Sequence, residues 1–262
     1  MIHIIGHTGM VGSELMTRDR YMPMECDVTS PKSINKALLK HNPDVIVYLA
    51  AKTNVDWCED NPNLTIDVNV GGVRNLLDSY LGRILYVSTS YVFNGKKFIG
   101  SGYTERHDPS PINMYGHLKL CAEAMLHLSI NKDVGNVKII RTSKLYNREY
   151  LERRFEGNLQ FSDVLKRSYL HVKHFCDGLD FVLDNWDTIP NILNIAGTDI
   201  LSEFMFLYQA CKRCGIPQHY VEKRTSQLRG AVPRPLRAGL NVRLAKSLGV
   251  PLYSAFDGLE IL

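Results

Sequence analysis

Short apolar runs rich in β-branched residues recur along the chain, each followed by turn-forming or polar residues. They are IHII (2–5), VIVYLA (45–50), RILYVST (83–89), VKIIRT (137–142) and NILNIA (191–196). Their apolarity is continuous rather than alternating, which predicts strands covered on both faces, as in a parallel sheet. Between them, a helical spacing of apolar positions predicts helices over 33–41, about 68–80, about 113–130 and about 177–185. Strand and helix alternate, so the expected class is α/β, a doubly wound parallel sheet. Right-handed crossovers then place helices on both of its faces.

Two stretches depart from this rhythm. After GSELM the second strand is hard to find: TRDRYMPMECDV leaves a very short strand or a trimmed region. Beyond about residue 145 the alternation fades into YNREYLERRFEG, rich in charge and aromatics. A helix at 201–214 follows, then HYVEKRT as a strand and AVPRPLRAGL as a proline-bounded loop. The expected division is a nucleotide-binding domain of 1–145 plus about 171–200, and a small discontinuous lobe of about 146–170 plus 201–262.

Composition narrows the function classes. The 262 residues carry 31 basic and 27 acidic side chains, a net charge of +4. That excess is too small to argue for nucleic acid or a membrane surface as partner. No run reaches the roughly 18 apolar residues of a membrane span. MIHIIGHTGM lacks the basic start of a signal peptide, so the cytoplasm is the expected compartment. The six cysteines are scattered, and CKRC at 211–214 lacks the second short-spaced pair of a closed zinc site. They read as plain thiols, and no metal is expected.

IIGHTGMVGSEL places Gly6, Gly9 and Gly12 directly after the first strand, opening a helix. Gly6 suits a tight turn, Gly9 a close approach to a pyrophosphate, and Gly12 close packing of helix on strand. Free amides at the helix start would face phosphates, with Thr8, Met10 and Val11 beside them. Where an NAD-selecting acid is expected, the chain reads TRDRY. Arg18 and Arg20 could hold a 2′-phosphate there, which favours NADP(H) over NAD(H). Asp27, expected at the end of the third strand, and Val28 beside it are candidate neighbours of the adenine.

In NMYGHLKLCAE, Tyr115 and Lys119 lie one helical turn apart and share a face. A nearby ammonium is expected to lower the tyrosine pKa from about 10. Such a tyrosine can protonate a carbonyl oxygen as hydride arrives. Thr89, at the end of its strand, supplies a hydroxyl to fix that carbonyl.

With these motifs in order, the chain resembles an extended short-chain dehydrogenase/reductase with a Rossmann-type sheet. It is most similar to the dTDP-4-dehydrorhamnose reductase family. The likeness runs through GHTGMVG (6–12), CDVTSP (26–31), PDVIVYLAAKTNVDWCEDNP (43–62), STSYVFNG (88–95), SPINMYGHLKLCAE (110–123), RTSKLY (141–146) and RPLRAGLN (234–241). It implies NAD(P)H-dependent reduction of a 4-keto-6-deoxy sugar on a nucleoside diphosphate, and family members often form homodimers. Tyr115 would be the general acid, Lys119 its partner and Thr89 the carbonyl-binding hydroxyl. Ala50, Ala51, Thr53 and Asn69 would line the cofactor. Val55, Asp56, Ser90, Tyr91 and Lys144 would approach the sugar nucleotide, and Arg234 its diphosphate.

The departures fall mostly on the sugar side. Ser90 stands where the family has aspartate, Lys144 where it has an aromatic residue, and Ala238 where it has serine. An ammonium at 144 suits an acidic or more hydroxylated sugar. A 4,6-dehydratase would need a carboxyl group beside the threonine, where Ser90 and Tyr91 stand. A nucleotide-sugar epimerase and a non-catalytic, NADP-binding regulatory subunit like that of methionine adenosyltransferase are the remaining alternatives.

Overall fold

The computed structural model describes the chain except residues 97–99, 132–135, 157–158, 214, 216–220 and 226–231. In chain order the elements begin β1 (Ile2–Ile5), α1 (Met10–Leu15), β2 (Tyr21–Pro23), α2 (Pro31–His41), β3 (Val45–Tyr48), α3 (Val55–Asp60) and α4 (Pro62–Ile66). A π-helical turn (Asp67–Gly71) leads into α5 (Gly72–Leu77), β4 (Arg83–Thr89), a 3₁₀ turn (Ser90–Val92), α6 (Met114–Asn131) and β5 (Asn136–Thr142). Then come β6 (Lys144–Tyr146), α7 (Arg148–Phe155), β7 (Gln160–Ser162), β8 (Lys166–His171), α8 (Val172–Asp184) and β9 (Ile192–Asn194). The chain closes with β10 (Ile200–Ser202), α9 (Glu203–Arg213), β11 (Glu222–Arg224) and α10 (Arg243–Ser247).

Among the described residues the main sheet has six strands in the order β2-β1-β3-β4-β5-β9, all parallel. The order reverses between β1 and β3, so a crevice opens above their carboxyl ends, where such sheets bind ligands. Side chains on the two faces of each strand feed two separate cores. Ile4, Val47, Leu85 and Ile140 pack toward α1 and α8. Ile5, Ile46, Ile84 and Ile139 pack toward α2, α5 and α6.

The second strand is present and three residues long. No further strand follows it among the described residues: the chain passes through Met24–Asp27 directly into α2, whose start Ser30 caps by accepting from the Ser33 amide. Asp27 therefore sits in a loop after β2, not at the end of a third strand. The helix expected at about 68–80 begins instead as the π-helical turn. Gly72 lets it press on the sheet, since a Cβ there would strike the Tyr48 hydroxyl at the end of β3.

A third core gathers Tyr146, Leu151, Phe161, Tyr169, Phe206 and Leu207. It underlies the small sheets β10-β8-β6 and β11-β7. The C-terminal segment is shared, because Ala245 and Val250 pack back on the α1/α8 face of the main sheet. Cys26, Cys58, Cys121 and Cys176 are free thiols. Cys214, His219 and Tyr220 lie outside the described residues. No helix of the described residues is long and apolar enough to cross a membrane.

Candidate active site

The turn after β1 is built on glycine for steric reasons. Gly6 has φ +91°, and a Cβ there would meet Ala50 N at 2.7 Å. At Gly12 a Cβ would collide with Gly6 O and lie 2.6 Å from His7 Cα, so α1 starts hard against the turn. Gly9 differs, since its nearest neighbour would be Gly6 O at an ordinary 3.6 Å. It caps α1 without any side-chain bond to the first helical amides, which stay open toward the crevice.

A cleft of about 400 Å³ lies above the carboxyl ends of β1, β3, β4 and β5. Its walls bring together Gly6, Gly9, Met10, Val11 and Gly12 with Ala51, Thr53, Val55, Thr89, Tyr91, Tyr115, Lys119 and Lys144. Residues from distant segments of the sequence thus share one wall-to-wall space. A second cleft of about 450 Å³ continues outward, lined by Asp56, Tyr150, Arg154, Glu203 and Arg234. Thr53, Val55, Tyr91, Lys144 and Arg167 line both.

The helix that carries Tyr115 and Lys119 is held on three sides. Asn113 accepts from the Gly116 amide at 2.9 Å and donates to Pro233 O at 2.9 Å. Gly116 lets α6 lie against the Tyr91 carbonyl, which any Cβ would strike. One turn past Lys119, Glu123 takes a bidentate pair from Arg141 on β5 (2.6 Å from Nη2, 3.0 Å from Nε), both side chains under 5% exposed.

Thr89 accepts from the Tyr91 amide at 3.2 Å and lines the same cleft as the Tyr115 phenol. Lys119 Nζ donates to Val87 O at 2.6 Å and sits 3.9 Å from the centre of the Tyr86 ring. The expectation that an ammonium lowers the Tyr115 pKa is overturned. Burial pushes the phenol up to about 12, with Thr89 opposing. Burial also pushes Lys119 down to about 7, with Glu123 opposing. A lysine directed at a carbonyl and a ring face, and half neutral at pH 7, has little field to spend on the phenol.

Several expected contacts fall elsewhere. Arg18 and Arg20 precede β2, which runs parallel to β1 with Tyr21 opposite Ile2. They therefore sit at the end of the sheet opposite the glycine turn. There Arg18 pairs with Asp177 at 2.8 Å and with Asp180, and Arg20 with Asp184 at 2.6 Å, all on α8. A role at a 2′-phosphate is excluded by that placement. Asp27 is exposed and turned back on Thr29, accepting from its amide at 2.9 Å. Thr8 is exposed and outside the cleft walls. Val28 is buried in the core under α2 and α5, and Ala50 packs against that core. Asn69 is buried and clamps the Lys52 backbone, accepting from its amide at 2.7 Å and donating to its carbonyl at 3.0 Å. It positions the segment carrying Ala51 and Thr53 rather than lining the cleft. Ser90 is fully buried, 3.3 Å from the Ser143 hydroxyl, behind the wall. Asp56 and Arg234 meet each other in a bidentate pair at 2.6 and 2.9 Å.

Sequence reasoning missed Ser88, Thr142 and Arg167. Ser88 Oγ and Thr142 Oγ1 are buried without hydrogen-bond partners and both line the inner cleft. Strand-end position was the available signal, since both sit at the carboxyl ends of β4 and β5. Arg167, at the start of β8, belongs to no motif. Two unmet hydroxyls opposite an open glycine turn suit a bound nucleotide bearing a carboxamide and ribose.

The chain matches the family model described as RmlD substrate binding domain over residues 1–252. It is 28% identical to a dTDP-4-dehydrorhamnose reductase of Streptomyces griseus, covering 97% of this chain and 84% of that one. It is 32% identical to a dTDP-4-keto-6-deoxy-D-glucose reductase of Streptomyces niveus, over 70% of this chain and 62% of the relative. The fold superposes on the dTDP-4-dehydrorhamnose reductase of Bacillus anthracis, solved in complex with NADP, with a TM-score of 0.84 at 24% identity, covering 99% of this chain and 96% of that one. Match length, fold and the ordering of the glycine turn, threonine, tyrosine and lysine agree: the chain belongs to the RmlD substrate-binding domain family.

Proposed function

We propose that this chain is an NADPH-dependent reductase of the 4-keto group of a nucleotide-linked sugar, the activity for which its relatives are named. The observation that carries the reading is the convergence of Thr89, Tyr115 and Lys119 in one cleft with the glycine turn. When bound, the reduced nicotinamide supplies the hydride. Gly9 and the amides opening α1 would hold the cofactor's pyrophosphate, and Lys119 would hold its ribose. The Ser88 and Thr142 hydroxyls, which lack partners in the cleft wall, would be available to its carboxamide.

Thr89 Oγ1 fixes the sugar carbonyl, and Tyr115 gives it the proton. A phenol at about 12 stays protonated at neutral pH and is a ready donor to an oxygen that becomes an alkoxide. The sugar lies where the two clefts meet, under the core formed by Tyr146, Phe161 and Phe206. The small lobe is thus the substrate-binding part, with Asp56 and Arg234 flanking the diphosphate.

The test is NADPH consumption with a dTDP-4-keto-6-deoxy sugar, run beside NADH and beside Tyr115→Phe. That variant is expected to bind NADPH normally and to lose about 100-fold or more in rate, the scale of a lost general acid. Near-full activity would remove Tyr115 from the chemistry. Cofactor binding without consumption by the wild type would make the chain a binding subunit instead.

A further inference from the structure

The wall shared by the two clefts carries two cations that no carboxylate among the described residues pairs with. Arg167 is buried, and its guanidinium donates to Lys166 O at 2.8 Å, to Leu236 O at 3.4 Å and to the Tyr91 phenol at 3.2 Å. Lys144 Nζ lies 4.5 Å from the centre of the Tyr150 ring. Neither has a carboxylate partner among the described residues, whereas the two acids of the outer cleft are both engaged. Asp56 is taken by Arg234 and Glu203 by Arg154 at 2.9 Å. The Tyr91 phenol registers the surplus: burial pushes it up, yet Arg167, Lys144 and Arg234 together bring it below its ordinary value.

Position separates these cations from Arg234. Arg234 lines only the outer cleft, while Lys144 and Arg167 also line the inner one beside Thr89 and Tyr115. The Tyr91 ring bridges them, 5.1 Å from the Arg167 guanidinium and 6.0 Å from the Tyr115 ring. A carbonyl held between Thr89 and Tyr115 therefore presents the substituents of its own sugar ring to Lys144 and Arg167. A buried guanidinium without a counter-ion is costly, and an anionic ligand group relieves that cost.

We propose that Lys144 and Arg167, with the Tyr91 phenol between them and the hydride site, form a subsite for a carboxylate carried on the sugar ring. The inference rests on the nucleotide-sugar reading and narrows its substrate class to an acidic sugar in place of a plain 6-deoxy one. Arg167 supplies a fixed planar fork and Lys144 a mobile point charge, a pairing suited to a carboxylate.

The test is binding to the NADP⁺-loaded protein. UDP-glucuronate is compared with UDP-glucose and with UDP alone, and the series is repeated with the thymidine nucleotides. The uronate is expected to bind at least roughly tenfold more tightly than the neutral sugar. Lys144→Met, at a half-buried site that tolerates an apolar chain of similar length, is expected to erase most of that preference while changing UDP affinity less than about twofold. Equal binding of uronate and glucose conjugates overturns the subsite. So does a Lys144→Met loss as large for UDP as for the uronate, which would assign the cations to the diphosphate. Reduction of a neutral 4-keto sugar with no uronate preference leaves the reductase reading standing and removes only the carboxylate. Failure of every nucleotide and nucleotide sugar to bind takes both away.

Discussion

Lys119 carries a stability signature that follows from its burial. Its side chain is 3% exposed, and burial lowers its pKa from 10.5 to about 7. An unfolded lysine keeps the value of 10.5. Below about pH 7 both states hold the proton, and the folded state bears the full cost of a buried ammonium. Between about 7 and 10.5 the unfolded chain binds more protons than the folded one, so stability rises with pH. At about 1.36 kcal/mol per unit, the part of this window between roughly pH 7 and pH 9.5 is worth on the order of 3 kcal/mol. Lys119→Met removes the titration and keeps most of the packing. Urea unfolding of both proteins across that range should show wild type gaining about 3 kcal/mol on the variant toward high pH. Differences that stay parallel within about 0.5 kcal/mol would mean that Lys119 titrates alike folded and unfolded, and the burial argument would fail.

The glycine turn offers a contrast within one motif. Gly12→Ala, forced into His7 and Gly6, should cost about 1–3 kcal/mol in thermal or urea unfolding, while Gly9→Ala should be nearly neutral in stability and weaken NADPH instead. Glu123→Gln strands Arg141 and should cost about 3–5 kcal/mol, whereas replacing both partners by Met should recover much of the loss; a double-mutant cycle measures this. Arg18→Ala with Arg20→Ala should lower the melting temperature by loosening α8 and leave the ratio of NADPH to NADH affinity unchanged. A selective loss of NADPH would contradict the placement of these residues at the far end of β2.

What the sequence made legible follows from what each signal reports. Continuous apolar runs report burial on both faces, and β1, β4 and β5 appear within a residue of their expected bounds. The glycine turn and the Tyr115–Lys119 pair were readable because their spacing is local: a turn of fixed shape and one turn of helix. Arg18 and Arg20 show the limit. Nearness in sequence to the expected selectivity position said nothing about which end of a three-residue strand they occupy, and that end decides the matter. The pKa of Tyr115 shows another limit. Spacing gives a shared face, but the sign of the shift depends on burial and on where Lys119 Nζ points, and both are tertiary.

The same reasoning explains why the sugar side resisted reading more than the hydride side, where only Ser88 and Thr142 were missed. The hydride side is built from strand ends and one helix: sheet topology delivers Ser88, Thr89 and Thr142 to one edge, and α6 brings Tyr115 to them. The sugar side is assembled from four separate places: α3, the start of β6, the start of β8 and the loop around Arg234. No periodicity links these, and only the folded lobe brings Lys144 beside Arg167. Charge then becomes informative where pattern was silent. In a cleft where Asp56 and Glu203 are each already paired, two further cations without a carboxylate partner among the described residues are the ground for proposing an acidic sugar. The family match supports the carbonyl chemistry, and the proposed subsite adds a carboxylate to the sugar that carries it.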